Sequence, residues 1–263
     1  MSKNFELMQN LGKERDMFQT SIESLSVAAA PAAVTASMAE PKPPVDLKPL
    51  ALKMEDGQRD EIFKLVQRVF FAPGHDGSRL VVVSATEAGN GGSWICARMG
   101  EVLASQTSGT VCLVDANLRS PGLHAQFEVP NHYGLSDCLQ TYEPVRGFVT
   151  QLSRSNLWLM SCGSETQKSH ALLGSERMRS LLPELQREFD YVLVDAPPMR
   201  PGDDTIALSR YAEGVVLVLR ANSSRRETAK QAVHDLAVAN VRLLGAVLNH
   251  RTFPVPEKIY KKL

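Results

Sequence analysis

Three segments of this sequence place small, hydroxyl or acidic side chains directly after short apolar runs. Residues 84–94 read Ser-Ala-Thr-Glu-Ala-Gly-Asn-Gly-Gly-Ser-Trp and follow the apolar run at 80–83. Glycines allow backbone N–H groups to converge on phosphate oxygens, and a helix that begins there adds positive potential. We therefore predict a phosphate-binding loop with contacts from Gly89, Asn90, Gly91, Gly92, Ser93 and Trp94.

The other two segments end in aspartate. Asp115 follows Val-Cys-Leu-Val, and Asp195 follows Tyr-Val-Leu-Val, which has the form of a Walker B motif. Carboxylates and a hydroxyl beside bound phosphates suit Mg²⁺. We predict that Ser93, Asp115 and Asp195 hold a magnesium ion. Taken singly, each segment also fits an ordinary turn or helix cap, and it is their combination that favours a nucleotide site.

The elements that would position these residues alternate between strands and helices. Apolar runs typical of strands buried on both faces of a parallel sheet lie at 80–83, 111–114, 157–160, 191–194, 215–219 and 243–248. Helical patterns lie at 60–71, 93–105, 175–189 and 224–240. A capping box of Ser224 and Glu227 is predicted to open the last helix. The alternation predicts an α/β fold: a doubly wound, mostly parallel sheet with helices on both faces, as in P-loop NTPases.

The first part of the chain differs in composition from the rest. Residues 1–54 are rich in Ala, Pro and Ser and contain few large apolar side chains, so ordering them would cost more than burial could offset. We predict a flexible N-terminal tail over 1–54 and one domain over 55–263. A docking peptide for a partner is the alternative for the tail.

Bulk composition excludes several classes of protein. The formal net charge is zero, so the chain has no overall attraction to nucleic acid, and we predict no nucleic-acid partner. The four cysteines show no zinc-ligand spacing. The sequence contains neither an apolar run of about 18 residues nor the apolar core of a signal peptide. These features predict a cytoplasmic protein.

The ordered motifs resemble the bacterial tyrosine kinases of capsule and exopolysaccharide synthesis, relatives of the cell-division and plasmid-partition ATPases with deviant Walker motifs. The family pattern Pro-Gly-Glu-Gly-Lys-Ser-Thr aligns with residues 88–94, and Asp-x-Asp-x-Arg-x-Pro aligns with 115–121. The family's Walker B motif aligns with 189–198. The resemblance covers residues 58–263 and implies ATP or ADP with Mg²⁺ as cofactor.

This sequence departs from the family pattern at chemically important positions. Gly92 stands where the family has its phosphate-binding lysine, and Trp94 replaces a small hydroxyl residue. Asn117 stands at the second Asp, for which the resemblance implies a catalytic or metal-site role, and an amide cannot accept a proton at neutral pH. Arg119 is the candidate cation that could replace the lysine. We therefore expect reduced phosphoryl transfer, and the sequence leaves open whether the chain is an enzyme.

Two further features of the family are partly retained. The family uses a Glu-x-x-Arg-x-x-Arg helix for ring assembly, and the matching residues here are Glu61, Lys64 and Gln67. They are candidates for self-association, with a solvated helix face as the alternative. The family's acceptor tyrosines cluster at the C-terminus, where this chain has Tyr260 as its phosphorylation candidate. Docking of this terminal segment on the domain surface is the alternative.

The resemblance and the departures together predict a regulatory protein. Its partner would be the cytoplasmic segment of a membrane polysaccharide co-polymerase or chain-length regulator, which would recruit it to the inner face of the membrane. One alternative is an active ATP-dependent protein-tyrosine autokinase. Another is a positioning ATPase of the division and partition type, although no lysine of that type's loop lies between Ser84 and Ser93.

Overall fold

The computed structural model describes residues 54–71, 79–152, 154, 156–164, 169–199 and 204–251. The strands are β1 (Leu80–Ala85), β2 (Val111–Asp115), β3 (Thr150–Gln151), β4 (Leu157–Met160), β5 (Tyr191–Asp195), β6 (Gly214–Arg220) and β7 (Leu243–Asn249). The helices are α1 (Asp56–Phe70), α2 (Gly92–Gln106), α3 (Leu123–Gln126), α4 (Leu135–Cys138), α5 (Ser169–Leu173), α6 (Glu176–Glu188), α7 (Asp204–Ser209) and α8 (Arg226–Val238), with a short 3-10 helix at Val145–Phe148.

The strands form one seven-stranded sheet in the order β3-β4-β2-β5-β1-β6-β7. Every pairing is parallel except that of the two-residue strand β3 with β4. The predicted doubly wound, mostly parallel α/β fold is therefore confirmed. Because β5 lies between β1 and β2, the loops that leave these three strands emerge side by side at one edge of the sheet.

Helices cover both faces of the sheet. Ile62 and Val66 of α1 and Met99 and Leu103 of α2 belong to the hydrophobic cluster on one face. The cluster on the other face contains residues of α6, α7 and α8, among them Leu181, Leu185, Leu208 and Leu236. All residues of β2 are buried, and so are all of β1, because helices pack on both of their faces.

Two expectations about local structure are wrong. The predicted capping box does not form, because α8 begins at Arg226 and its N-cap is Arg225, without a side-chain cap. The hydroxyl of Ser224 instead accepts the backbone N–H of Arg220 at 2.9 Å. Strand β7 was predicted to be buried on both faces, but its residues are partly exposed because it is an edge strand.

Several predictions fall on residues that the structure does not describe. Residues 1–53 of the predicted tail and the segment 252–263, with Tyr260, lie outside the described residues. Within the described residues, no helix has the length and apolar character that crossing a bilayer requires.

Candidate nucleotide-binding site

The predicted phosphate loop connects β1 to α2. Its backbone passes through the left-handed region at Gly89, with φ 81°, and at Gly91, with φ 89°. Gly91 is the N-cap of α2, which begins at Gly92 and runs for 15 residues. The loop therefore has the glycine-dependent backbone and the helix start that a phosphate site requires.

Asn90 connects this loop to the carboxyl ends of the neighbouring strands β6 and β7. Its side chain is 2% exposed, and its Nδ2 donates to Thr86 Oγ1 at 2.9 Å and to Ser224 Oγ at 3.0 Å. Its backbone oxygen accepts Nδ2 of Asn249 at 3.0 Å. The loop conformation therefore depends on residues at the carboxyl ends of β6 and β7.

A matched pair of glycine substitutions tests how tightly this loop is held. A Cβ at Gly91 would clash with Nδ2 of Asn249, whereas a Cβ at Gly89 would meet nothing within 4 Å. Both positions have positive φ, so alanine at either costs about 1–2 kcal/mol of backbone strain. In urea unfolding we expect Gly91→Ala to lower the free energy of unfolding by roughly 1 kcal/mol more than Gly89→Ala does. Equal losses would show that the Asn249 contact does not constrain the loop.

The two predicted metal-binding aspartates lie next to each other. Asp115 and Asp195 are register partners on the neighbouring strands β2 and β5. Asp115 is 0% exposed and accepts backbone N–H groups of Asn117, Gly122 and Leu123 at 3.3, 3.0 and 2.9 Å.

Asp195 is held differently. It is 1% exposed, its carboxylate accepts a hydrogen bond from the hydroxyl of Ser93, and its Oδ2 finds no partner among the described residues. The structure thus brings Ser93, Asp115 and Asp195 together, with one carboxylate oxygen available.

Burial of this carboxylate pair changes its acid–base behaviour. Burial raises the pKa of Asp115 to about 6, although its three backbone hydrogen bonds act in the opposite direction. Burial, followed by the neighbouring charge of Asp115, raises the pKa of Asp195 well above its usual value. A divalent cation would offset both effects, because it stabilises the charged forms of the two carboxylates.

The donor set fits Mg²⁺. The described residues contain no group of three or more His, Cys, Asp or Glu side chains that could hold a metal ion. Mg²⁺, however, needs only one or two carboxylates and completes its octahedron with phosphate oxygens and water. Oδ2 of Asp195 has no hydrogen-bond partner among the described residues, so it could bind the ion directly. Asp115, already bonded to three backbone N–H groups, would act through water.

Gly92 lies within this site without being required by the backbone. A Cβ at this position would lie 3.5 Å from Cβ and N of Ala85 and 3.9 Å from Oδ1 of Asp195. These are ordinary van der Waals distances, and Gly92 lacks the positive φ of Gly89 and Gly91. A side chain at residue 92 would therefore start beside the carboxylates without disturbing the loop.

The remaining candidates of the site have other contacts. Trp94 packs against the hydrophobic cluster of α1 and α2, with the Arg98 guanidinium 4.4 Å from its ring centre. Asn117 is 9% exposed, at the exit of β2. The Nε of Arg119 donates to Ser169 Oγ at 3.1 Å, so this arginine would have to leave that contact to reach a phosphate.

The contacts of three residues at the edge of the site were not predicted from the sequence, although the family resemblance includes Asp204. Asp204, 7% exposed, bonds the Nδ1 of His170 and lies 3.7 Å from Nη2 of Arg119. Thr86 and Ser224 hold Asn90, as described above. These contacts join residues far apart in the chain, and no local spacing indicates them.

The candidate self-association residues pair with each other. Nζ of Lys64 lies 2.8 Å from Oε1 of Glu61, and both side chains are largely exposed on α1. Both residues are accessible to a second copy of the chain, and self-association remains a prediction.

The chain can now be compared with known proteins. It is 31% identical over 169 residues to the tyrosine-protein kinase YwqD of Bacillus subtilis, covering 64% of this chain and 71% of that one. The chain belongs to the bacterial tyrosine-protein kinase family. It is also 24% identical to the putative tyrosine-protein kinase CapB of Staphylococcus aureus, over 69% of this chain and 79% of that one. No protein-family model matches the chain.

Solved structures with the same fold include members of this family and more distant ATPases. The chimerical protein CapA2B2 has a TM-score of 0.70 at 22% identity, covering 76% of this chain and 87% of that one. An ATP complex of a McdA variant from Cyanothece has a TM-score of 0.54 at 20% identity, covering 65% of this chain and 69% of that one. These similarities establish the P-loop NTPase-like fold of the kinase-family chain.

Proposed function

We propose that this chain is a nucleotide-binding regulatory member of the bacterial tyrosine-kinase family in which phosphoryl transfer is weakened or lost. It would act in the cytoplasm on exopolysaccharide or capsule synthesis. Its partner would be the cytoplasmic segment of a membrane polysaccharide chain-length regulator. The similarity to the putative tyrosine-protein kinase CapB and the shared fold with the chimerical protein CapA2B2 support this proposal.

A single observation carries the proposal. The site has the glycine loop, the Ser93 hydroxyl and the buried carboxylate pair. Residue 92, however, is glycine and supplies no positive charge to a phosphate. Two adjacent buried carboxylates destabilise the folded state, and such pairs occur mainly at functional sites. Their presence here therefore favours a site that still binds nucleotide. We infer that Mg-nucleotide binding is retained and that catalysis is the lost function.

The chemistry of each residue follows from this geometry. The loop N–H groups would bind the phosphates, and Ser93 and Asp195 would hold a magnesium ion, which would supply positive charge beside them. Without a lysine, the charge that develops on the transferring phosphoryl group loses one stabilising cation. Asn117 can orient a hydroxyl by hydrogen bonding but cannot remove its proton. Both deficits lower the rate of transfer more than they lower affinity.

Phosphotyrosine formation tests the proposal. We expect the purified wild type with Mg-ATP to incorporate almost no phosphate on tyrosine, because both the lysine and the acidic side chain are missing. The double variant Gly92→Lys, Asn117→Asp should incorporate at least about 100-fold more, in line with the value of a catalytic cation. The measurement is anti-phosphotyrosine blotting with mass spectrometry, with and without the cytoplasmic segment of the proposed membrane partner.

The same assay addresses the active-autokinase alternative. Strong phosphorylation of the wild type that disappears in Asp195→Ala would overturn the regulatory proposal in favour of an autokinase. In that case Tyr260→Phe shows whether the C-terminal tyrosine is the acceptor. The positioning-ATPase alternative predicts ATP hydrolysis without any phosphotyrosine.

A further inference from the structure

Arg119 is held beside the candidate magnesium site by two residues that do not belong to that site. Its side chain is 62% exposed and lies on the loop between β2 and α3. Its Nε donates to the hydroxyl of the buried Ser169 at 3.1 Å, and its Nη2 lies 3.7 Å from Oδ2 of Asp204. Ser169 is the first residue of α5, and Asp204 is the first residue of α7. We refer to these two contacts as the arginine latch.

The loop that carries Arg119 is anchored on the magnesium site. Oδ1 of Asp115 accepts the backbone N–H of Asn117. Its Oδ2 accepts the backbone N–H groups of Gly122 and Leu123, so the loop begins and ends on one carboxylate. The backbone of Arg119 is therefore fixed next to the site, while its long and exposed side chain can turn from the arginine latch to a bound ligand.

The arginine latch holds the guanidinium group weakly. A separation of 3.7 Å is too long for a hydrogen bond, and the other carboxylate oxygen of Asp204 is bonded to Nδ1 of His170. The remaining contact of the latch is one hydrogen bond to a neutral hydroxyl. Ion pairs with an exposed partner contribute little to stability, whereas arginine binds phosphate through charge-assisted and often bidentate hydrogen bonds. A phosphate within reach of Arg119 would therefore displace the latch contacts.

The strand order indicates which phosphate would come within reach. The glycine loop follows β1, Asp195 ends β5 and Asp115 ends β2, and these strands are neighbours in the order β1-β5-β2. The glycine loop would bind the first phosphates at the start of α2, so a further phosphate would extend toward β2 and the loop of Arg119. A nucleoside triphosphate would bring its last phosphate toward Arg119, whereas a diphosphate lacks that group.

We propose that Ser169 and Asp204 hold Arg119 away from the magnesium site and that a γ-phosphate attracts it out of these contacts. The arginine latch would thereby set the preference of the site for a nucleoside triphosphate over a diphosphate. Ser169 and Asp204 are positioning residues in this scheme, because they act through Arg119. The inference rests on the proposed function, since it requires Mg-nucleotide at Asp115 and Asp195.

Isothermal titration of the full chain with Mg-ADP and with the β,γ-imido analogue of Mg-ATP tests the proposal. The imido analogue carries a γ-phosphate and resists hydrolysis. We expect Ser169→Ala and Asp204→Asn each to bind the imido analogue roughly three- to tenfold more tightly than the wild type does, because Arg119 then has one contact fewer to give up. Their affinity for Mg-ADP should equal that of the wild type.

Two further variants separate the arginine latch from a general change in the fold. Arg119→Gln should weaken binding of the imido analogue but not of Mg-ADP, and adding Ser169→Ala to it should change neither affinity. Glu176→Gln is the matched control for Asp204→Asn. It frees Arg179, another exposed arginine, from an ion pair of 3.1 Å on α6, and it should bind both nucleotides as the wild type does.

Three results would overturn the proposal. The first is that Ser169→Ala and Asp204→Asn leave the affinity for the imido analogue unchanged. The second is that they change the affinities for both nucleotides equally, and the third is that their effect persists together with Arg119→Gln. All three leave the proposed function intact, because Mg-nucleotide still binds. Absence of Mg-nucleotide binding in the wild type and in Gly92→Lys would instead contradict the proposed function, and this inference with it.

Discussion

Gly92→Lys is expected to strengthen Mg-ATP binding roughly 10- to 150-fold, because one charge-assisted hydrogen bond to a phosphate contributes about 1.5–3 kcal/mol. The structure permits the substitution, since a Cβ at residue 92 has ordinary van der Waals clearance from Ala85 and Asp195. The new ammonium group would also lie near two buried carboxylates, which favours its charged form. Isothermal titration with Mg-ATP, for wild type and variant under the same salt conditions, measures the change.

Gly92→Met is the matched control for that prediction. It adds an unbranched side chain of similar reach without a charge, so it reports the steric effect of filling the site. We expect it to bind Mg-ATP no better than the wild type. If methionine and lysine change the affinity equally, or if neither changes it, residue 92 does not face the phosphates and the assignment of the loop is wrong.

Asp195→Asn is expected to have opposite effects with and without magnesium. In EDTA at pH 8 we expect it to raise the free energy of unfolding by roughly 1–3 kcal/mol, because it removes one of two acidic groups that burial forces together. With Mg-ATP present it should lose the ligand-dependent stabilisation of the wild type, because Oδ2 is the proposed metal ligand. Thermal and urea unfolding in the two buffers measure both effects.

The raised pKa values of the carboxylate pair determine how the free energy of unfolding changes with pH. A carboxyl pKa that is higher in the folded state means that the folded state binds the proton more tightly, so stability is greatest below the unfolded pKa. For Asp115 that stability is lost as pH rises from its ordinary value of 3.8 to about 6. The contribution of Asp115 to the stability of the metal-free wild type should therefore fall across this window, by about 3 kcal/mol.

Asp190 provides a control with the opposite sign. Its carboxylate accepts the backbone N–H of Thr110 at 2.7 Å and the hydroxyl of Thr110 at 3.0 Å. These hydrogen bonds lower its pKa, so the stability that it contributes is lost as pH falls. Asp190→Asn should therefore reduce stability at pH 8, where Asp195→Asn increases it. If both variants changed the free energy of unfolding at pH 8 in the same direction, the assignment of a destabilising buried carboxylate pair would be contradicted.

The sequence predicts the position of a site residue when that residue directly follows an apolar run that forms a strand. Asp115 and Asp195 each end an apolar run, and in a parallel sheet such residues meet at one edge. The direct adjacency of these two aspartates could not be predicted in this way, because β5 joins the sheet between β1 and β2 although it comes later in the chain. Periodicity along the chain does not indicate this order, because the order depends on pairing between strands that are far apart in the sequence.

The incorrect predictions share one physical cause. Ser224 has the local pattern of a helix cap, but its hydroxyl bonds the side chain of Asn90, 134 residues away in the chain, and a long-range contact replaced the local one. Strand β7 has the composition of a buried strand, yet its exposure depends on its place at the sheet edge.

The contacts of Asn90 have a consequence for synthesis of the chain. The partners of this residue are 134 and 159 positions further along, at Ser224 and Asn249. During translation the glycine loop leaves the ribosome long before either partner exists, and closing such distant contacts is slow. The nascent chain should therefore be unable to hold nucleotide until its last strand has joined the sheet, so binding competence would appear only with the completed domain.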